Sequence, residues 1–386
     1  MIPYGNHDIC QEDIDAVVNV LKSSFLTQGE LVPRFETAVA GHCDAKYAVA
    51  VNSATSALHI ACLALGLGPE DWLWTSPITF VASANCGRYC GAQVDFVDID
   101  PQTYNMSVNQ LAAKLESAEK AGKLPKVVVP VHLCGQSCDM AAIYALSQQY
   151  GFKIIEDASH AIGGRYQNKS IGDCRYSDIT VFSFHPVKII TTAEGGMAMT
   201  NKAELAQKMV RLRSHGITRN AEEMTKVPDG PWYYQQTELG YNYRLTEIQA
   251  ALGISQLTRL GEFVSKRHIL AKRYEYLLNG LPLVTPWQHP ECYSAFHLYV
   301  IRLQLNKIKK THKQVFGELL ANGIGVNLHY IPVNTQPYYL QQGVEVNSLI
   351  EASRYYSEAI SLPMFPGLSE ADQDHVFKTL KIVLNS

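Results

Sequence analysis

Residues 181–196 read Val-Phe-Ser-Phe-His-Pro-Val-Lys-Ile-Ile-Thr-Thr-Ala-Glu-Gly-Gly: a strand-like run, one lysine among apolar side chains, and a glycine pair opening the next strand. An ammonium group in such surroundings is costly unless its charge is lowered or compensated. Desolvation lowers the pKa of an amine and makes it a nucleophile toward carbonyl groups, so Lys188 is a candidate catalytic residue. A lysine in apolar company can instead run its stem over the surface and leave its head in water. The hydroxyls and glycines around Lys188 weigh against that alternative.

Outward from this stretch the same grammar repeats. Residues 47–51, 94–97, 126–131, 153–155, 179–182 and 197–200 are short apolar or β-branched runs with helical stretches between them. Ile14, Val17, Val18 and Leu21 give residues 11–22 helical spacing. Alternation of this kind predicts an α/β fold with a mainly parallel sheet covered by helices. Beyond residue 201 the pattern turns helical, with amphipathic segments at 245–260 and 264–278. After Pro282 and Pro286 come a strand at 295–303, a helix at 311–321, a short strand at 325–328 and two final helices. We expect a large domain over residues 1–262 and a smaller one over 263–386.

At roughly 150 residues per domain, 386 residues allow two or three domains. The formal charge of -3 gives no field that would favour nucleic acid or anionic membrane, so partners must be read from sites. No window is long and apolar enough for a membrane helix, and the N-terminus lacks the features of a signal peptide; a cytoplasmic protein is expected. The nine cysteines sit mostly in apolar contexts. Cys86/Cys90 and Cys134/Cys138 have a spacing that zinc sites use but no regular histidine partners, so no metal is expected. There is no GxGxxG after a strand, no GxxxxGK[ST] and no HExxH, which argues against dinucleotide dehydrogenases, P-loop enzymes and zinc proteases.

Three further polar clusters lie at predicted strand ends, where open α/β sheets place ligands. Val51-Asn-Ser-Ala-Thr-Ser-Ala57 runs from a strand into a helix whose first amides, with Ser53, Thr55 or Ser56, suit a phosphate; ordinary N-capping would use the same residues. Ile154-Ile-Glu-Asp-Ala-Ser-His160 places two acids after a buried strand, as metal ligand, loop cap or partner of a protonated pyridine nitrogen. Asn242 and Arg244 precede a helix that they could cap, or they could reach a second subunit.

NSATSALHIA (52–61), SPITFVASAN (76–85), EDASHAIG (156–163), FSFHPVKIITTAEGG (182–196), RSHGITR (213–219) and LGYNYRLTEIQAALG (239–253) follow one another along the chain. In that order they resemble the sugar aminotransferases of the DegT/DnrJ/EryC1/StrS family. The resemblance implies the pyridoxal phosphate-dependent transferase fold of the aspartate aminotransferase type I, with a seven-stranded sheet. It implies pyridoxal 5'-phosphate as cofactor. Lys188 would carry it as a Schiff base and move the proton, Asp157 would pair with the pyridine nitrogen, and His160 would lie near the phenolic oxygen. Phe80 would stack on the ring. Ala54 and Thr55 through their amides and Ser183 through its hydroxyl would hold the phosphate, with Asn242 supplied by the other subunit of a homodimer. The lysine at 188 separates the chain from relatives that carry histidine there and act as sugar dehydratases.

Within the family the chain resembles in particular the transaminases of pseudaminic acid biosynthesis. That implies transfer from L-glutamate to C4 of a UDP-linked 2-acetamido-2,6-dideoxy-4-keto hexose of the L-arabino series. Tyr4, the turn Leu26-Thr27-Gln28-Gly29, Asn242, His329 and Tyr330 would contact the nucleotide sugar. The alternatives are another nucleotide-linked 4-keto sugar, of the perosamine or 4-amino-arabinose type, and a cofactor-bound sensor without turnover.

Overall fold

A computed structural model of the chain describes residues 1–344 and 349–385. Helices α1 (Gln11–Leu21) and α2 (Leu31–Cys43) lead into β1 (Tyr47–Val51) and α3 (Ala54–Ala64). Then come β2 (Trp72–Thr75), α4 (Ala82–Tyr89), β3 (Gln93–Phe96), α5 (Val108–Ala121), β4 (Val127–Val129), α6 (Met140–Tyr150) and β5 (Lys153–Asp157). A small hairpin, β6 (Arg165–Tyr166) and β7 (Lys169–Ser170), precedes β8 (Ile179–Ser183) and β9 (Gly196–Thr200).

Seven of these strands form one sheet in the order β1-β9-β8-β5-β4-β2-β3. Every pairing is parallel except the two made by β9. All residues of β4, β8 and β9 are buried, which is why these runs read as continuous rather than alternating. The sequence reading missed β2, a central strand. Its Trp-Leu-Trp-Thr is too short to show a period, and it finds its place through parallel pairing with β3 and β4.

Turn chemistry agrees with these boundaries. Ser53 caps α3 by accepting from Ser56 N–H, and Thr246 and Gln249 form a capping box on α8 (Glu247–Thr258). Helices α5 and α6 both stop at a left-handed glycine, Gly122 and Gly151.

After α7 (Ala203–Arg213), the two-residue strands β10 (Ile217–Thr218) and β11 (Gln235–Gln236) pair before α8. Helix α9 (Leu260–Leu278) then spans two cores. Leu260, Phe263 and Val264 pack with Phe35, Phe182 and Phe184, whereas Leu270, Tyr274 and Leu278 pack with Ile301, Leu319 and Leu380. That second core covers a three-stranded sheet, in the order β12 (Leu283–Val284), β14 (Tyr299–Leu303), β15 (Ala359–Leu362). Strand β13 (Cys292–Tyr293) pairs instead with β6. Helices α10 (His312–Ala321), α12 (Ile350–Glu358) and α13 (Glu370–Asn385) belong to the part around the three-stranded sheet, whereas α11 (Pro337–Gln341) packs beside the large sheet, with Tyr339 against Phe96 and bonded to Asn85 of α4.

The strand expected at 325–328 is absent: Asn327 makes only an isolated bridge to Ser361. The first residues pack on this C-terminal part, with Ile2 bridging Ile324 and Tyr4 O accepting from Met364 N–H.

Phe35 of α2 is fully buried, 5.2 Å from the ring of Phe184, just beyond the end of β8. Helix α8 comes close enough to it that a side chain at Gly253 would meet the Phe35 ring at 2.6 Å. Truncating this side chain removes packing on both sides of the strand end that leads to Lys188. Phe35→Ala is expected to cost about 3–5 kcal/mol, read as a lowered urea midpoint.

Candidate active site

A cavity of about 550 Å³ opens at the carboxyl ends of β5 and β8, beside the first turns of α3 and α4 and residues 327–330. It brings together Lys188, Asp157, Ser183, His160, Ala54 and Thr55. Phe80, Tyr4, His329 and Tyr330 complete the set of predicted residues that line it.

One end is built for an anion. Ala54 and Thr55 are the first residues of α3, and their amides make no hydrogen bond within the described chain. Ser183, at the end of β8, likewise spends its hydroxyl on no described partner. Gly196 lies beside them, and a Cβ there would stand 2.5 Å from Ala54 N and Ser53 O. Only glycine lets β9 pass this close, which is the physical reason for the glycine pair that follows the lysine loop.

Asp157 closes β5 and is 5 % exposed. Its Oδ2 accepts from Ser83 Oγ (2.6 Å), and its Oδ1 accepts from Ser159 N–H (3.1 Å) and Ser159 Oγ (2.6 Å). These donors hold the carboxylate in one orientation. Lys188 Nζ forms no hydrogen bond to a described residue; the residue's N–H donates to His185 O at 2.9 Å. Burial pulls its amine down to about 8, against the opposing charge of Asp157.

Three imidazoles complete the walls. Burial pushes His160, His297 and His329 below the usual histidine range, His329 to about 3, and the Lys188 charge adds to each shift. At neutral pH all three are uncharged. His329 shares a 2.8 Å hydrogen bond with Ser361 Oγ through Nδ1, and its ring lies 5.2 Å from that of Tyr4. The ring of His297 lies 4.4 Å from that of His160.

Sequence reading missed His297, Ser83 and Ser159. The two serines fall inside quoted motifs, three residues after Phe80 and two after Asp157. His297 stands alone in Ala-Phe-His-Leu-Tyr-Val, where its one signal is a polar residue within a buried run.

Five predicted residues lie outside this cavity. Leu26, Thr27, Gln28 and Gly29 form the turn between α1 and α2, held by Glu247: its N–H donates to Leu26 O, and its carboxylate accepts from Leu31 and Val32 N–H. Asn242 is exposed, on a segment bridged to Ser214. At the start of α8, Gln249 Nε2 donates to the carbonyl of Glu194, a residue of the cavity wall.

The arrangement fits pyridoxal phosphate. An anion cradle, an oriented carboxylate, a flat aromatic face on Phe80 and an amine of lowered pKa all border one space of sufficient size. In protein without added cofactor, Lys188 is expected to react with a small aldehyde half-maximally near pH 8, where ordinary lysines are still protonated. Asp157→Asn should move that midpoint lower, because the lost charge favoured the ammonium form. Reductive methylation across a pH series with peptide mapping reads both, and labelling of Lys188 only near the ordinary lysine range would refute the assignment.

Known proteins resemble the chain along its whole length. The chain is 38 % identical over 386 residues to the spore coat polysaccharide biosynthesis protein SpsC of Bacillus subtilis, covering 99 % of this chain and 97 % of that one. It is 36 % identical to the UDP-4-amino-4,6-dideoxy-N-acetyl-beta-L-altrosamine transaminase of Campylobacter jejuni, covering 100 % and 98 %. Among solved structures, Helicobacter pylori PseC, an aminotransferase involved in the biosynthesis of pseudoaminic acid, superposes with a TM-score of 0.89 at 31 % identity, covering 100 % and 99 %. The PLP-form of the sugar aminotransferase Spr1654 of Streptococcus pneumoniae, itself described as putative, does so with a TM-score of 0.88 at 27 % identity, covering 100 % and 98 %. The model of the DegT/DnrJ/EryC1/StrS aminotransferase family matches residues 7–381, and the chain belongs to that family.

Proposed function

We propose that the protein transfers an amino group from L-glutamate to C4 of a UDP-linked 2-acetamido-2,6-dideoxy-4-keto hexose of the L-arabino series, as in pseudaminic acid biosynthesis. The observation that carries the reading is Lys188, a partly neutral amine facing Asp157 across a cavity with a phosphate cradle at one end.

Pyridoxal phosphate is the cofactor, and when bound it supplies the electron sink through which the amino group leaves the donor and reaches the acceptor. Ala54 and Thr55 amides and the Ser183 hydroxyl would hold its phosphate. Asp157, fixed by Ser83 and Ser159, would keep the pyridine nitrogen protonated, and Phe80 would cover one ring face. With its pKa near the working pH, Lys188 Nζ can take the α-proton of the donor and return one to the acceptor. Neutral imidazoles on the walls leave the amine without a repelling charge.

The UDP-sugar assignment is supported by the names of the Campylobacter and Helicobacter relatives and by the placement of Tyr4, His329 and Tyr330 on one wall. The higher identity to the Bacillus protein, whose name gives a different polysaccharide, favours a second reading in which another nucleotide-linked 4-keto sugar is the acceptor. Amination assays with UDP-, GDP- and dTDP-linked 4-keto sugars separate the two. The account predicts product with the UDP-linked L-arabino compound, and turnover of the others alone would replace it.

The reading includes a homodimer with shared sites, supported by the position of Asn242 and the Leu26–Gly29 turn outside the cavity of their own chain. Exposed apolar side chains on these segments, Leu26 at 49 % and Leu239 at 76 %, suit burial against a second copy. No helix among the described residues is long and apolar enough to cross a membrane. Lys188→Ala and Asn242→Ala are each expected to lose activity, and mixing them with subunit exchange should restore about a quarter of it in mixed dimers with one intact site. No recovery would place Asn242 in its own subunit's site or outside catalysis.

A further inference from the structure

The hydrogen bonds around His160 fix which atom of this wall reaches a ligand. Cys134 N–H donates to His160 Nδ1 at 3.3 Å, so the single ring proton of the neutral imidazole sits on Nε2. That Nε2–H faces the Tyr330 hydroxyl oxygen at 3.1 Å and donates to it. Both nitrogens of His160 are thereby committed within the protein. Tyr330 Oη has no other partner among the described residues, so its own proton can be given only to what occupies the cavity that it lines. The Tyr330 ring lies 6.2 Å from that of Phe80, on the same wall as His329 and Tyr4.

We propose that Tyr330 is a catalytic hydrogen-bond donor to the carbonyl oxygen of the keto substrate, and that His160 is the positioning residue that aims it. The inference rests on the function proposed above. Negative charge builds on that oxygen as the carbonyl π pair moves onto it, before the oxygen leaves as water with the two amine protons, and a donor fixed in advance stabilises it without reorganisation. Burial, with the Asp157 charge adding to it, raises the Tyr330 phenol above its ordinary range, so the proton stays on the tyrosine. His160 cannot replace it, having spent its one proton on Oη. Tyr330 therefore acts by donation, not by proton transfer.

The test uses the full-length enzyme with bound pyridoxal phosphate and Tyr330→Phe, which removes one oxygen. Retention of cofactor absorbance verifies that the variant folds and binds. Single-turnover amination of the keto sugar, by enzyme preloaded with glutamate, is expected to slow by about 10²-fold with little change in apparent sugar affinity. The pH midpoint of the cofactor absorbance should stay where it is in wild type. A shifted midpoint would assign the hydroxyl to the cofactor's phenolic oxygen instead, and weakened affinity at an unchanged rate would reduce it to a binding contact; either overturns the proposal. His160→Ala should slow the same step, and combining it with Tyr330→Phe should add nothing, since His160 acts through that hydroxyl. Multiplying losses would refute the positioning role. Wild-type enzyme that glutamate fails to convert would sink the proposed function itself, independently of Tyr330.

Discussion

A half-buried amine facing a carboxylate is the interaction on which the rest of this structure depends. Lys188 can be drawn down to about 8 only because β8, β9 and the loop between them bury it, and it keeps part of its charge only because Asp157 stands across the cavity. Asp157 in turn needs its position at the end of β5, a buried strand hydrogen-bonded to β4 and β8. Ser83 of α4 and Ser159 of the following turn fix its two oxygens. The large sheet thus serves the site as a frame that sets the separation of two side chains.

The same exclusion of water governs the histidines. An imidazolium beside Lys188 would be repelled, and burial adds to that repulsion, so His160, His297 and His329 remain neutral. Neutral rings have one donor and one acceptor each, and backbone or hydroxyl partners choose the tautomer of His160. A lining with several histidines therefore has little charge but a defined direction of hydrogen bonding. Direction matters for a substrate whose reacting atom is a carbonyl oxygen.

Much of this was readable in the sequence, for identifiable reasons. Strands such as Val127–Val129 and Ile179–Ser183 are buried on both faces and show as apolar runs, and Lys188 stood out because it breaks one. The ends of those runs drew attention to residues 51–57 and 154–160, since ligands bind where parallel strands stop, and the family resemblance singled out Asp157, Ser183, Ala54 and Thr55. What failed was short or depended on distant partners. Strand β2 is only four residues long, and β15 reads as a continuation of α12 until its pairing with β14 is known. The stretch at 325–328 has the composition of a strand, yet Asn327 turns its side chain back to Leu328 N–H and makes a single bridge. His297 gains meaning only when the chain brings it to His160, more than 130 residues earlier.

The central claim is that Lys188 is the amine that binds the cofactor. Purified protein mixed with pyridoxal phosphate, reduced with borohydride and mapped by peptide mass tests it most directly. The account predicts one stable phosphopyridoxyl adduct, on Lys188, abolished by prior incubation with glutamate. An adduct on another lysine, or none, would contradict it.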